Sequence, residues 1–262
     1  MGKITDALKK AAQERLARIE KLGQKTEVKY EFIATKNVES SVDPRIVAFH
    51  DPKSAVAEQY RVLRTNMQAL NSKNPIKVVT ITSSIHGEGK TITAINLALT
   101  MAQDLNHKSI LLVDADLRRS KVSKYLGIKS EKGLSDLITN GVNIDDTLLN
   151  IGLNNLTILP AGKSPPNPAE LLGSVKVKNL ISLLKSKYDY IIFDTPPIVS
   201  VTDAGVLGAQ TDGVIMVIQA NRTQKGVIKH GEGLLKQAQA KTLGYILTNI
   251  QYHIPAYIYR YL

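Results

Sequence analysis

The chain has 262 residues, 43% hydrophobic and 22% charged, with a formal net charge of +11 and no cysteine. This is the composition of a globular chain long enough for one α/β domain plus an extension; it excludes disulfides and thiolate metal sites, and fits a reducing cytosol. No apolar run reaches membrane-spanning length, residues 1–25 are too charged for a signal peptide, and the positive charge invites an anionic partner: nucleotide, nucleic acid or an acidic membrane surface.

Residues 1–23 form one amphipathic helical pattern, with Ile4, Leu8, Ala12, Leu16 and Ile19 sharing a face and Gly23 as a stop. Residues 1–29 hold eight Lys or Arg against four Asp or Glu, which suits contact with an anionic lipid surface or packing against protein. Residues 24–50 are polar, lack a period and read as a linker, so the domain is expected over 51–262. A helix is predicted over about 53–71. Strands are predicted at Ile76–Thr82, Ser109–Asp114, Leu156–Pro160, Tyr190–Asp194, Gly213–Gln219 and Leu243–Asn249. Helical patterns fall near 90–105, 133–140, 169–186 and 223–240. Strands separated by helices predict a doubly wound, mostly parallel sheet, whose ligands bind at the carboxyl ends of the strands.

One turn stands at such an end. After the β-branched run Ile76–Ile81 comes S-I-H-G-E-G-K-T, Ser84 to Thr91, and then a buried helical pattern. This matches the phosphate-loop pattern at Gly89, Lys90 and Thr91, with Ser84 where the common pattern has its first glycine. Gly87 and Gly89 let the backbone bend around phosphate oxygens, Lys90 brings a positive charge, and the Thr91 hydroxyl can bind magnesium. The loop with Glu88 and Ile92 therefore predicts an ATP site in a P-loop NTPase-like fold. Two further strands end in acids, "ILLVDADLRRS" with Asp114 and Asp116 and "YDYIIFDTPP" with Asp194. Carboxylates there sit beside the phosphate loop and can hold Mg²⁺ or accept a proton. Asn249, closing "GYILTN", could face the purine or simply end a strand.

Together these elements resemble the bacterial tyrosine kinases associated with capsule and exopolysaccharide synthesis, over roughly residues 50–262. By that resemblance Ser83–Thr91 is the Walker A element, Val113–Arg118 the Walker A′ element and Ile191–Pro197 the Walker B element. "AEQYRVLRTN" resembles the family's E-x-x-R-x-x-R oligomerisation motif through Glu58, Arg61 and Arg64. "LPAGKSPPNPAELL", residues 159–172, resembles another family stretch without an assignable role. The tail holds four of the chain's ten tyrosines, Tyr252, Tyr257, Tyr259 and Tyr261, in the position of the family's autophosphorylation cluster. The resemblance implies a homo-oligomer, a ring, activated by a separate membrane protein of polysaccharide export. It also implies a cytoplasmic location at the inner face of the membrane through that partner. His86 departs from the small residue or proline common before Gly87 and is given no catalytic role.

On this reading Lys90 and the loop amides neutralise phosphates, while Thr91, Asp114 and Asp194 serve the metal. Asp114 is the expected base for the tyrosine hydroxyl and Asp116 orients the metal or its waters, with the two roles exchangeable. The competing class is the partitioning and division-site ATPases, nucleotide-driven dimerisation switches with a second lysine near the start of the loop. Ile85 occupies that position. Neither H-R-D nor D-F-G of the eukaryotic kinases occurs, and no helix-turn-helix, zinc-finger or ribonucleoprotein signature supports nucleic-acid binding.

Overall fold

The computed structural model describes residues 42–71, 75–152 and 155–250. The amphipathic pattern at 1–23 and all four tail tyrosines lie outside the described residues. The described part is a seven-stranded sheet in the order β3-β4-β2-β5-β1-β6-β7. Its strands are β1 (Val78–Ser83), β2 (Ile110–Asp114), β3 (Leu149–Asn150), β4 (Leu156–Leu159), β5 (Tyr190–Asp194), β6 (Gly213–Gln219) and β7 (Thr242–Thr248). Among the described residues only the two-residue β3 runs antiparallel; every other strand pairing is parallel.

Alternation along the strands assigns the two faces. Ile81, Leu112, Ile158 and Ile192 point to one side, where they pack on Ile95 and Leu99 of the helix Lys90–Ala102 and on Met67 of the helix Ala55–Asn71. Val78, Leu111, Val113, Ile191 and Phe193 point to the other, against Val177, Ile181 and Leu184 of the helix Val175–Lys187 and Leu134 and Ile138 of Leu134–Asn140. Val214, Met216 and Ile218 of β6 meet Leu235 of the helix Lys225–Gln237 in a third cluster. With both faces covered, the central strands are buried throughout, which is why they read as continuous apolar runs. Edge strand β7 is only half buried, and Tyr245 and Leu247 are exposed.

The domain begins earlier than residue 51. Val42, Ile46 and Ala48 belong to the first core cluster, and Val47–His50 is a short helix. Asn96 ties this segment down, accepting from Ala48 N (2.9 Å) and donating to the Arg45 carbonyl (3.1 Å). The single helical pattern at 169–186 is two helices, Pro168–Leu172 and Val175–Lys187. Ser174 separates them, its side chain accepting from Val177 N as an N-cap.

Candidate active site

The parallel register brings β1, β2 and β5 to a common carboxyl edge. Asp114 sits opposite Asp194 across the β2–β5 pair, and Asp194 opposite Ile81 of β1. From β1 the chain turns through residues 84–89 into the helix that starts at Lys90. Gly87 (φ 85°) and Gly89 (φ 93°) adopt the left-handed backbone that favours glycine, which lets the loop curl back over the helix N-terminus.

Lys90, Thr91, Asp116 and Asp194 converge at this edge. Lys90 Nζ donates to Asp116 Oδ2 at 3.0 Å and lies 3.9 Å from Asp194 Oδ1. Thr91 Oγ1 donates to Asp194 Oδ2 at 2.7 Å. Burial disfavours the Lys90 charge, but Asp194 and Asp116 outweigh it and hold the ammonium above its ordinary pKa. Asp194 is pushed upward by burial against the opposing pull of Lys90 and Thr91. Its Oδ1 is buried and has no hydrogen-bond partner among the described residues.

Asp114 and Asp116, expected as a pair, occupy different environments. Asp114 is fully buried, its Oδ2 accepting from Lys121 N (3.1 Å) and Val122 N (3.0 Å) and its Oδ1 from Asp116 N (3.2 Å). Burial, reinforced by the Asp194 charge, pushes its carboxyl upward. Asp116 faces the cleft, whose walls also include His86, Gly87, Gly89, Lys90, Thr91 and Ile92. Asp114 thus folds the loop from Asp116 to Val122, and Asp116 is the carboxylate that the loop presents. Of the two acids, Asp116 is the one at the cleft wall.

Other expected residues have less direct places. Glu88 is buried with its carboxylate turned away from the cleft: Oε2 accepts from Ile85 N (2.7 Å), and Oε1 from Gln219 N (3.3 Å) and Thr223 Oγ1. Its side chain braces the loop rather than facing a ligand. Ser84 is buried, with its hydroxyl toward the Met216 sulfur at 3.5 Å. Asn249 is exposed with φ 54° and does not line the cleft. Arg61 pairs with Glu58 at 2.6 Å and donates to the Pro52 carbonyl, while Arg64 turns inward to the Thr100 carbonyl at 3.0 Å. The three charges therefore do not form one free face.

The walls include residues that local sequence did not single out: Arg45, Arg119, Lys121 and Tyr125. Arg45 lies over the Tyr125 ring at 5.0 Å and is forked onto Asp43. Behind the Asp116 loop, Arg118 forks onto Asp203, Nε to Oδ2 at 2.9 Å and Nη2 to Oδ1 at 3.0 Å. Asp203 is fully buried and lies 85 residues away in sequence, so only the fold shows the partnership.

Residues fit for Mg²⁺ are present. Thr91 and Asp194 form an oxygen pair at the phosphate loop, and Asp194 Oδ1 has an unused lone-pair position. No group of three or more His, Cys, Asp or Glu suited to a metal occurs among the described residues. Mg²⁺ in phosphoryl-transfer sites needs fewer, taking phosphate and water oxygens for the rest.

A phosphate loop, an acid on each of two neighbouring strands and a parallel sheet define a nucleotide-binding class of protein. The family model described as "AAA domain" matches residues 76–241. The tyrosine-protein kinase YwqD of Bacillus subtilis is 38% identical over 212 residues, 81% of this chain and 89% of that one. The tyrosine-protein kinase CpsD of Streptococcus agalactiae is 35% identical over 201 residues, 76% and 86% of the two chains. Among solved structures, the chimerical protein CapA2B2 superposes with a TM-score of 0.73 at 31% identity, covering 81% of this chain and 97% of that one. A plasmid partition protein of Borrelia burgdorferi and a septum site-determining protein of Pyrococcus horikoshii share the fold at TM-scores of 0.53 and 0.56. The chain belongs to the bacterial tyrosine-protein kinases. No helix among the described residues is long and apolar enough to cross a membrane.

Proposed function

We propose that this protein transfers the γ-phosphoryl group of ATP to tyrosine hydroxyls, those of Tyr252, Tyr257, Tyr259 and Tyr261 on a neighbouring subunit among them. The observation that carries the reading is the Lys90–Asp116 contact beside Thr91 and Asp194, at the mouth of a phosphate loop. Thr91 and Asp194 would hold Mg²⁺, which when bound neutralises charge on the phosphates. The septum-site protein of Pyrococcus horikoshii, of the same fold, was solved with Mg-ADP.

Phosphoryl transfer asks the protein mainly for positioning and charge stabilisation. The Lys90 ammonium donates to Asp116 Oδ2. Phosphate oxygens compete for the same ammonium, and Lys90 moving toward them frees Asp116 Oδ2 as a proton acceptor. A tyrosine hydroxyl titrates near pKa 10 in water, roughly, so a carboxylate within hydrogen-bond reach assists its attack. The Asp114 oxygens remain engaged with three backbone amides and keep the loop in shape. The kinase acts in the control of capsule or exopolysaccharide synthesis, as a homo-oligomer activated by a membrane adaptor.

Asp116→Asn tests the assignment. Phosphotyrosine formation should fall by about 10²-fold or more while Mg·ADP affinity is retained, because the lost group acts on the proton and not on the phosphates. Transfer at the wild-type rate in this variant, with transfer abolished in a nucleotide-binding Asp114→Asn, would return the base to Asp114.

A further inference from the structure

We propose that Arg222 and Thr248 are positioning residues that set the peptide planes of the phosphate loop, aiming the amides of Gly87 and Gly89 at bound phosphate. This rests on the loop being a nucleotide site. In a trans peptide the carbonyl and the following N–H point in opposite directions, so anchoring one aims the other. Thr248 Oγ1 donates to the Glu88 carbonyl at 2.7 Å, and the next amide is that of Gly89. Arg222 Nη2 donates to the His86 carbonyl at 3.0 Å, and the next amide is that of Gly87. Both carbonyls are held from the side of β6 and β7, and both glycines line the cleft. Neither glycine amide has a hydrogen-bond partner among the described residues.

The anchors are themselves fixed. Arg222 Nη1 donates to Gln219 Oε1 at 2.8 Å, holding the guanidinium against Gly87, where an added Cβ would lie 2.8 Å from Nη1. The Thr248 carbonyl accepts from Ala220 N at 2.9 Å, tying the end of β7 to the end of β6. The Glu88 carboxylate joins the same strand end to Ile85 N. Glycine peptides at positive φ rotate readily, and an untethered loop would spend binding energy on ordering them. Donors fixed in advance avoid that loss.

Thr248→Val removes the hydroxyl at nearly constant shape, Thr248→Ser keeps it, and Arg222→Ala removes the second anchor from an exposed position. Mg·ADP affinity is measured by calorimetry, alongside melting of the nucleotide-free protein. The expected result is Mg·ADP binding about threefold to tenfold weaker in Thr248→Val and in Arg222→Ala, with Thr248→Ser within about twofold of wild type. Nucleotide-free Arg222→Ala should melt close to wild type, as exposed substitutions usually do. Wild-type affinity in both single variants, even with lowered melting, overturns the proposal. Failure of the wild type to bind Mg·ADP overturns instead the nucleotide reading on which it rests.

Discussion

Lys90→Met should change the stability of the nucleotide-free protein, and its pH dependence, as well as its activity. The Lys90 side chain is only 11% exposed and lies 3.0 Å from Asp116 and 3.9 Å from Asp194. At an effective dielectric constant of about 20 these distances correspond to attractions of about 5 and 4 kcal/mol. Desolvating the ammonium offsets several kcal/mol of that, leaving a net loss of about 3 kcal/mol when the cation is removed and two acids stay behind. Asp194, already pushed upward by burial against the pull of Lys90, can relieve the loss by taking up a proton. Its folded pKa then rises further above the unfolded one, so the variant is most stable at low pH and weakens as pH rises through the raised value. Urea denaturation of both proteins at pH 5.5 and pH 8, without nucleotide, reads the difference. The deficit of Lys90→Met should be larger at pH 8; an equal stability of the two proteins at pH 8 would refute the argument. Phosphotyrosine formation should fall by about 10²–10³-fold in the same variant, the usual cost of losing one electrostatic contact to the transition state.

Asp203→Asn should cost about 2 kcal/mol, because the fully buried partner of the Arg118 fork loses its charge. It should also slow phosphoryl transfer more than it weakens Mg·ADP binding, and parallel losses of the two would count against a role in holding the Asp116 loop. Asp114, raised from the ordinary carboxylate range near 4 to about 8 chiefly by burial, binds a proton more tightly folded than unfolded. Its contribution to stability is therefore present below pH 4 and lost as pH rises to about 8, so Asp114→Asn should gain on wild type in melting temperature across that window; a pH-independent gap would contradict the burial effect. Arg61→Ala/Arg64→Ala should lower the oligomer mass seen by light scattering of unphosphorylated protein, and identical masses would remove the helix Ala55–Asn71 from the interface.

The sheet was legible wherever both faces of a strand are covered. Tyr190–Asp194 and Gly213–Gln219 were readable residue for residue because every position of the first, and all but the last of the second, is buried and apolar or ends in an acid. Short elements stabilised by distant partners were not. Val47–His50 has too few residues to show a period and is held by Asn96, while the helix Asp203–Gly208 is brief and contains two glycines. At the site, Gly87, Gly89, Lys90 and Thr91 were readable because a phosphate loop is contiguous. The sequence put the base at Asp114 and left its role exchangeable with that of Asp116; the different surroundings of the two acids rest on the backbone amides of Lys121 and Val122, which no local pattern shows. The bracing role of the Glu88 side chain was not legible, because its partners, Gln219 N and Thr223, are more than 130 residues away. Arg119, Lys121 and Tyr125 reach the cleft wall through the turn that Asp114 organises, which no local pattern encodes.

The most direct measurement is mass spectrometry of the purified protein after incubation with Mg·ATP, with each phosphate mapped to its residue. The account predicts phosphate on tyrosines of the set Tyr252, Tyr257, Tyr259 and Tyr261, absent from Lys90→Met treated alike. ATP hydrolysis with no phosphotyrosine would contradict it.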